Sequence, residues 1–327
     1  MAYTLPAENH HTSPDGSRRV ATLVASATEI VAALGCREWI VGRSHECDYP
    51  ESIAAVPVLT EPKIALEGTS LEIDHHVKAI VQEGTSVYRV HGELLKALNP
   101  DVIITQDQCE VCAVSLRDVE HAIKDWTGRE IQVVSCRPNR LGDVWSDIRR
   151  VADVLGVPDA GDRLVFDMQA RMNAIAARAA TAASRPSVLC VEWIDPLMSA
   201  CDWMPELVER AGGLSLLAEP GKHSQWITWE SAVAADPDVI VVMPCGFDIA
   251  RAGAELPVLE ARPGFAEMKA VKEGRIAIVD GNQYFNRPGP RLAESLEILA
   301  EILHPELFDF GHHGESWIAW PGAAPFF

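Results

Sequence analysis

The stretch LNPDVIITQ, Leu98 to Gln106, recurs in outline as DPDVIVVMP, Asp236 to Pro244. In both places a helical pattern of apolar residues passes through Pro-Asp into a short run of Val and Ile. Runs of this length and composition are typical of buried strands. The repetition of one helix-strand unit predicts two halves of similar topology.

Other apolar runs, separated by helical patterns, extend the same arrangement along the chain. The predicted strands are RVATLVA (Arg19 to Ala25), WIVGRS (Trp39 to Ser44) and IQVVSC (Ile131 to Cys136) in the first half, and SVLCVEW (Ser187 to Trp193) and RIAIVD (Arg275 to Asp280) in the second. Such alternation of strands and helices favours a mostly parallel sheet in each half.

The segment Gly142 to Ala183 carries no strand pattern and reads as helix, with one break at Gly156-Val157-Pro158. Its second part, from Asp159, holds about 25 residues and would span roughly 37 Å as a helix. We therefore predict an α/β protein of two Rossmann-like lobes with mostly parallel sheets, joined by a long bridging helix, with a ligand cleft between the lobes. The predicted division is a disordered tail 1–17, an N-terminal lobe 18–141, bridging helices 142–185, a C-terminal lobe 186–310 and a C-terminal tail 311–327.

The charge of the chain argues against a nucleic-acid partner. Its 47 Asp and Glu residues and 28 Lys and Arg residues give a formal net charge of -19. The sequence has no cluster of basic residues that would attract a phosphate backbone against this negative charge. No window of about 18 consecutive apolar residues predicts a membrane span. The first residues lack the cationic start and apolar core of a secretory leader, so the sequence predicts a cytoplasmic protein.

Familiar catalytic motifs are missing from the sequence. It contains no GxSxG elbow, no HExxH, no P-loop and no GxGxxG in a βα turn. We therefore expect a binding protein and not an enzyme.

Residues that follow the predicted strands are candidates for a binding site, because ligands of open parallel sheets collect beyond the carboxyl ends of the strands. Aromatic and sulfur side chains dominate these positions. They include His45, Cys47, Asp48, Tyr49, Gln106, Cys109, Cys112 and Cys136 in the first half, and Glu192, Trp193, Asp195, Cys245, Asn282, Phe285 and Arg287 in the second. If the fold is right, these side chains gather around one opening.

The cysteines suggest a metal site. Cys109 and Cys112 have the two-residue gap with which one loop gives two ligands to zinc or to an iron–sulfur cluster. Cys47 and Cys245 follow other strands, and with His45 they complete the predicted metal-binding set. The alternatives for Cys109 and Cys112 are two small buried residues or a redox pair. His45 is either an axial ligand to cobalt or another metal, or a loop histidine hydrogen-bonded to a neighbour.

Five motifs in one order carry a resemblance to a known family. They are GRSHECDYP (Gly42 to Pro50), LNPDVIITQ (Leu98 to Gln106), DWMPELVERAGG (Asp202 to Gly213), WITWE with DPDVIVVMPCGF (Trp226 to Phe247) and FNRPGPRL (Phe285 to Leu292). Over about residues 18 to 304 the chain resembles the class III solute-binding proteins of ABC transporters, which bind cobalamin, iron-siderophores or haem. The cobalamin-binding branch is the most similar.

The resemblance implies a site for cobalamin (vitamin B12) or a related corrinoid, which is a large amphipathic disc. Tyr49 and Trp203 would pack on the faces of the disc. The other implied ligand-binding residues are Asp48, Gln106, Asn282, Phe285 and Arg287. Trp226 and Trp229 either line the cleft or pack in the core.

The resemblance also implies a partner, an ABC transporter, if the chain is exported. Members that dock on a transporter use an acidic residue on each lobe, and Glu72, Glu206 and Glu209 are candidates by position. Each is equally an ordinary exposed glutamate, since surface carboxylates are common. The sequence thus leaves two functions open, which are a corrinoid-binding protein and a metalloprotein that holds zinc or an iron–sulfur cluster.

Overall fold

The structure of the protein, a computed structural model, describes residues 16–82, 86–107, 116–123 and 131–320. These residues divide into two compact units. Unit 1 contains the described residues up to Gly68 and those of His75–Pro138 and Gly142–Phe166, and unit 2 contains Thr69–Asp74, Asn139–Leu141 and the described residues from Asp167 onward. The predicted tail 1–17 lies almost wholly outside the described residues.

Unit 1 is built on a parallel sheet. In chain order the elements up to the long helix are β1 (Val20–Thr22), α1 (Ala25–Ala33), β2 (Ile40–Arg43), β3 (Thr60–Pro62), α2 (Ser70–Gln82), β4 (Tyr88–Val90), α3 (Gly92–Leu98), β5 (Val102–Gln106), α4 (Leu116–Ile123), β6 (Gln132–Cys136), α5 (Leu141–Leu155) and α6 (Pro158–Ala179). The four strands β2-β1-β5-β6 lie in this order and are all parallel, while β3 and β4 form a separate antiparallel pair.

Unit 2 is built on a mixed sheet. Its further elements are β7 (Ser187–Trp193), β8 (Met198–Ser199), α7 (Met204–Arg210), β9 (Leu214–Ser215), β10 (Gln225–Trp226), α8 (Trp229–Ala235), β11 (Val239–Val242), α9 (Ile249–Ala254), α10 (Leu256–Glu260), α11 (Lys269–Lys272), β12 (Ile276–Val279), α12 (Leu292–Leu303) and β13 (Trp317–Ala319). The strand order is β10-β8-β7-β11-β12-β13, with β9 also paired to β7. Strands β9, β7, β11 and β12 are parallel, whereas β8, β10 and β13 run antiparallel to their neighbours.

The repeated stretch begins where a helix ends. Asn99 after α3 and Asp236 after α8 adopt left-handed backbone conformations, with φ of 48° and 41°. Asn and Asp tolerate this region better than most residues that carry a Cβ. Pro100 and Pro237 follow, and neither can continue a helix. The chain therefore leaves its helix at the equivalent point in both units.

Each repeated stretch has an aspartate, Asp101 or Asp238, that ties the strand after it to the neighbouring strand of the sheet. The carboxylate of Asp101 accepts the backbone N–H of Arg19, just before β1, at 2.7 Å. The carboxylate of Asp238 accepts the backbone N–H of Ser187, the first residue of β7, also at 2.7 Å. Strand β5 then pairs with β1, and β11 with β7, in parallel register. The two predicted halves of similar topology are confirmed.

The central strands are covered on both faces. Every residue of β5 and every residue of β11 is buried. This burial explains why both strands read as continuous apolar runs in the sequence and not as alternating patterns.

The long helix predicted after residue 159 is confirmed as α6, which has 22 residues, begins in unit 1 and ends in unit 2. The predicted break separates it from α5. Gly156 there has a left-handed φ of 78°, and Pro158 is the first residue of α6, a position where its missing N–H is tolerated. Across the part of the chain that the structure describes, no helix is both long and apolar enough to cross a membrane.

Candidate functional site

The carboxyl ends of the four parallel strands of unit 1 form one edge of its sheet, and predicted site residues of the first half lie there. His45, Cys47, Asp48 and Tyr49 follow β2, and Gln106 is the last residue of β5. Gln106 is buried, whereas Asp48 and Tyr49 are exposed, Tyr49 by 46%. This edge therefore presents an accessible aromatic ring.

Arg43, the last residue of β2, holds the loop that carries Asp48 and Tyr49. Its guanidinium donates to five backbone carbonyl oxygens at 2.9 to 3.3 Å, those of Ser44, Cys47, Ile53, Ala54 and Val56. Hydrogen bonds from a charged donor are stronger than those between neutral groups. The loop is thereby fixed to the end of the strand that precedes it.

Thr60 holds the imidazole of His45 in one orientation. Its hydroxyl oxygen lies 2.8 Å from His45 Nδ1 and also accepts the backbone N–H of His45 at 3.0 Å. The Thr60 hydroxyl donates its own hydrogen to Ser44 at 3.1 Å, so Nδ1 of His45 is the protonated nitrogen. Nε2 then carries a lone pair, and among the described residues it is buried without a hydrogen-bond partner. Burial, followed by the charge of Arg43, lowers the pKa of His45, which favours the neutral imidazole.

The metal-site hypothesis receives no support from the residues that the structure describes. Cys47 is buried, and its Sγ accepts the hydroxyl hydrogen of Thr28 at 2.9 Å, whereas Cys245 is exposed in the other unit. Cys109 and Cys112 lie outside the described residues. Within the described ranges, no group of three or more His, Cys, Asp or Glu side chains could hold a metal ion.

Trp203 and Phe285, two predicted ligand contacts in unit 2, are joined by a hydrogen bond. The indole N–H of Trp203 donates to the carbonyl oxygen of Phe285 at 2.8 Å. Phe285 has a left-handed φ of 55°, and its N–H donates to the hydroxyl of Ser295 at 3.1 Å. Trp203 is 7% exposed and Phe285 is 0% exposed. Both side chains are therefore buried, and the bond from Trp203 to the backbone of Phe285 holds the loop after β12.

Residues 280–287, which we call the β12 loop, carry predicted polar contacts of the ligand. The carboxylate of Asp280 accepts the N–H groups of Asn282 at 3.0 Å and Gln283 at 2.7 Å. Arg287 is buried and donates to the side-chain oxygen of Asn282 at 3.1 Å. Burial raises the pKa of Asp280. Asn282 and Arg287, which the sequence placed in one site, thus belong to one hydrogen-bonded network.

An aromatic row crosses the end of the sheet in unit 2. Trp226 of β10 lies opposite Met198 of β8, and Met198 lies opposite Trp193 of β7. Residues directly opposite each other in antiparallel strands share a face of the sheet. Trp193 also packs edge-on against Phe247, with ring centroids 5.4 Å apart. This tryptophan row (Trp193, Met198 and Trp226) ends in a ring that is 50% exposed, that of Trp226.

Trp229, the other tryptophan of QWITWE, is packed within unit 2. Its indole N–H donates to the carbonyl oxygen of Pro263 at 2.7 Å, and its ring stacks on Phe265 with centroids 6.3 Å apart. The sequence left both tryptophans open between surface and core. The structure places Trp226 on the surface and Trp229 against other side chains.

Glu192, a strand-end residue to which the sequence assigned no role, lies on β7. Glu192 accepts the hydroxyl hydrogen of Ser224 at 2.6 Å. Burial raises the pKa of Glu192 to about 7; the hydrogen bond from Ser224 acts in the opposite direction, and the like charge of Asp202 adds to the rise. Nδ1 of His223 lies 3.7 Å from the carboxylate of Asp202, and Asp202 raises the pKa of His223. Glu192 and His223 therefore both interact with the carboxylate of Asp202.

Glu192→Gln is expected to gain stability relative to the wild type as the pH rises. In the unfolded chain the carboxyl titrates near 4.5, so ionisation opposes folding between that pH and about 7. The free energy of unfolding of the wild type therefore decreases by about 3 kcal/mol as the pH rises through this range. Glutamine does not ionise, so the variant does not show this decrease. Urea unfolding at about pH 5 and about pH 8 measures it. Glu219→Gln, which alters an exposed glutamate paired with Lys222, is the control; a pH-independent difference for Glu192→Gln would contradict the prediction.

Two of the three predicted docking glutamates have local structural partners. The carboxylate of Glu72 accepts the N–H and the hydroxyl of Thr69 at 2.9 and 3.0 Å, an arrangement that caps the start of α2. Glu206 accepts the N–H of Leu141, the first residue of α5, at 2.9 Å. Glu209 is exposed on α7. Helix capping is thus a sufficient role for Glu72 and Glu206, and docking stays a prediction.

The chain folds into two α/β units, each with parallel strands in its sheet, and one long helix begins in unit 1 and ends in unit 2. This combination defines a class of solute-binding fold. A family model described as periplasmic binding protein matches residues 20–282. The chain belongs to the periplasmic binding protein family, and its fold is that of the class III members. This family consists of ABC transporter substrate-binding proteins, which are not enzymes.

Similar proteins agree with this assignment. YvrC from Bacillus subtilis (strain 168), an uncharacterized ABC transporter substrate-binding lipoprotein, is 24% identical over 296 residues, which are 89% of this chain and 81% of YvrC. The periplasmic heme-binding protein RhuT from Roseiflexus sp. RS-1 has a TM-score of 0.65 at 23% identity, covering 88% of this chain and 98% of RhuT. The periplasmic vitamin B12 binding protein BtuF of Vibrio cholerae has a TM-score of 0.63 at 17% identity, covering 89% and 98%. At these identities the solved structures show the fold alone.

The prediction of a cytoplasmic protein is wrong. The family is one of periplasmic binding proteins, and the relative from Bacillus subtilis is a lipoprotein. The prediction rested on features that the first residues lack, and such an absence does not determine where a protein works. The predicted resemblance is confirmed for the family and the fold.

Proposed function

We propose that this protein captures a large tetrapyrrole-type ligand, and more narrowly cobalamin or a related corrinoid, for an ABC transporter. The observation that carries the proposal is the tryptophan row, which ends in an exposed ring on unit 2. Aromatic faces cover a large amphipathic disc with little loss of side-chain entropy. The similar structures described as heme-binding and as vitamin B12 binding support a ligand of this class.

Tyr49 of unit 1 is a second proposed aromatic contact. Its ring is 46% exposed, and the loop that presents it is fixed by Arg43. The proposed polar contacts are Asp48, Gln106, Asn282 and Arg287. Trp203 and Phe285 act on the ligand through the β12 loop that they hold.

The charge of the protein favours a corrinoid over heme. Heme carries two carboxylates, which need cationic partners in a binding site, whereas the rim of a corrinoid bears mainly neutral amides. Two arginines of unit 2 already have partners: Arg287 donates to Asn282, and Arg262 pairs with the carboxylate of Asp195 at 3.1 Å. With a net charge of -19, the protein also repels a dianionic macrocycle more strongly than a neutral one.

Titration of the purified protein with cyanocobalamin, and separately with hemin, tests the proposal. We expect cyanocobalamin to bind with a Kd on the order of micromolar or tighter. Trp226→Ala should weaken this binding about tenfold, because a stacked aromatic ring contributes roughly 1 kcal/mol beyond its buried area. Phe166→Ala is the matched control, since it removes a ring that is 70% exposed on α6, and it should leave the affinity unchanged.

Three results would count against the proposal. If neither ligand binds at micromolar concentrations, the tetrapyrrole class is rejected. If hemin alone binds, the corrinoid is rejected and the class is kept. If Trp226→Ala binds as tightly as the wild type, the tryptophan row is not the contact surface.

A further inference from the structure

The last described residues form a segment beyond the part of the chain that the family model matches, which ends at residue 282. We call Phe308–Ala319 the C-terminal segment. Its strand β13 pairs antiparallel with β12, with Trp317 opposite Val279, and both Ser316 and Trp317 are buried. Most of this segment falls in the range predicted as a C-terminal tail. In the structure it is an integral part of unit 2.

Glu301, buried on α12, anchors the C-terminal segment. One of its carboxylate oxygens accepts the backbone N–H groups of Phe310 and His312, the latter at 3.2 Å. The other oxygen accepts the indole N–H of Trp317 at 2.9 Å. Three donors compensate this carboxylate for the hydration that it loses on burial.

His312 is held by a second carboxylate of the same helix. Its Nε2 lies 3.0 Å from Glu297, and the guanidinium of Arg171 donates two bonds of 2.7 Å to that carboxylate. The bond to Glu297 raises the pKa of His312 against the opposing effect of burial, and the charge of Glu301 adds to the rise. The titratable and charged groups around His312 are Glu294, Glu297 and Glu301 of α12, Arg171 of α6 and Tyr284 of the β12 loop.

Ser316 connects the C-terminal segment to the β12 loop. Its carbonyl oxygen accepts the N–H of Asp280 at 3.0 Å. Its hydroxyl oxygen lies 3.3 Å from the phenol oxygen of Tyr284 and 3.4 Å from Nδ1 of His312. The ring of Tyr284 is also flanked by His312, edge-on at 6.5 Å, and by the guanidinium of Arg291 at 5.3 Å. Tyr284 thus contacts two residues of the C-terminal segment and Arg291, which directly precedes α12.

The protonation of His312 sets the direction of these hydrogen bonds. A charged imidazole donates from Nε2 to Glu297 and from Nδ1 to Ser316, and the hydroxyl hydrogen of Ser316 is then directed to Tyr284. A neutral imidazole that still donates to Glu297 has an acceptor at Nδ1, which competes with Tyr284 for that hydrogen. The charged form of His312 therefore favours the contact that holds Tyr284.

We propose that His312 and Ser316 are positioning residues for the β12 loop and, through it, for the bound ligand. The second half of this statement rests on the proposed function, because Asn282 and Arg287 of the loop are proposed ligand contacts. The charged pair of His312 with Glu297 contributes fully below the ordinary pKa of 6.5 and is lost as the pH rises through the raised value in the folded protein. Order in the loop should therefore fall as the pH rises.

Hydrogen exchange of the β12 loop in the ligand-free protein tests the positioning role. Ser316→Ala removes the hydroxyl and keeps the backbone bond to Asp280, and we expect the loop amides to exchange about fivefold faster, the effect of one hydrogen bond. After correction for chemical exchange, the wild-type loop should show a similar increase from about pH 6 to about pH 9. His312→Gln should abolish this pH dependence, and His313→Gln, a change in the adjacent exposed histidine, should leave it intact.

Unchanged loop exchange in Ser316→Ala, or retained pH dependence in His312→Gln, overturns the proposal. Affinity for cyanocobalamin near pH 6 then tests the part that concerns the ligand. Ser316→Ala should bind about fivefold more weakly than the wild type and His313→Gln; equal affinity overturns that part. If the wild type binds no tetrapyrrole, the proposed function fails, and the exchange data still decide whether the two residues position the loop.

Discussion

Replacing Gly281 by alanine is expected to lower the free energy of unfolding by about 3 kcal/mol or more. A Cβ at this position would lie 2.3 Å from the carbonyl oxygen of Pro244 and 2.9 Å from the carbonyl carbon and oxygen of Met243. These are backbone atoms just after β11, so they cannot turn aside as the end of a flexible side chain would. Urea unfolding followed by circular dichroism measures the loss, and the displaced β12 loop should bind ligand more weakly.

A second glycine provides the control for this substitution. A Cβ at Gly253, within α9, would meet only the Cδ1 of Ile278 at 3.9 Å, which is an ordinary contact. Alanine also favours a helix over glycine by up to about 1 kcal/mol. Gly253→Ala should therefore be as stable as the wild type or more stable. If Gly281→Ala unfolds at the same urea concentration as Gly253→Ala, the backbone of Gly281 does not lie this close to that of Met243 and Pro244.

Glu301→Ala is expected to have the second large effect, a loss of about 3 kcal/mol. The substitution leaves three donors without their acceptor, which are the N–H groups of Phe310 and His312 and the indole of Trp317. Because Trp317 is buried, its N–H cannot exchange the carboxylate for water without opening the segment. Thermal unfolding and urea unfolding both measure the loss.

Glu315→Ala serves as the matched control for Glu301→Ala, since Glu315 is an exposed glutamate of the same segment. Its removal should change the stability by less than about 0.5 kcal/mol. A loss below about 1 kcal/mol for Glu301→Ala would show that the three donors find other partners and that Glu301 is not the anchor.

The central strands of both units could be predicted because their burial leaves a direct mark on the sequence. Strands β5 and β11 are buried along their whole length, so nearly every position is apolar. The end of the helix before each strand could also be predicted, since a Pro stands two residues after the last helical residue in each case. The hydrogen bond from the N–H of Arg19 to the carboxylate of Asp101 could not be predicted, because the two residues are 82 positions apart and nothing local in either stretch specifies the pairing.

The aromatic side chains show which contacts the sequence could not indicate. The family resemblance placed Trp203 on a face of the ligand, and the structure adds that its indole N–H donates to Phe285, 82 residues further along the chain. Met198 was missed because β8 and β10 have two residues each, which is too short for a pattern of alternation. In both cases other segments of the chain set the surroundings of the side chain.

His45 shows a different limit of the sequence. A coordinating histidine and a hydrogen-bonded one were treated as alternatives, whereas the structure gives Nδ1 a partner in Thr60 and leaves a lone pair on Nε2. The two nitrogens of one ring can serve different purposes. Only the position of Thr60, 15 residues away, reveals this.

Strand β13 covers strand β12, which would otherwise be an edge of the sheet in unit 2. All four residues of β12 are buried and apolar, and β13 covers the backbone groups along one side of that strand. An uncovered apolar strand is a template on which other chains can pair and aggregate. β13 is itself only three residues long, so it offers only a short edge for further pairing. Strand β13 thus replaces a fully apolar edge of the sheet with a short one.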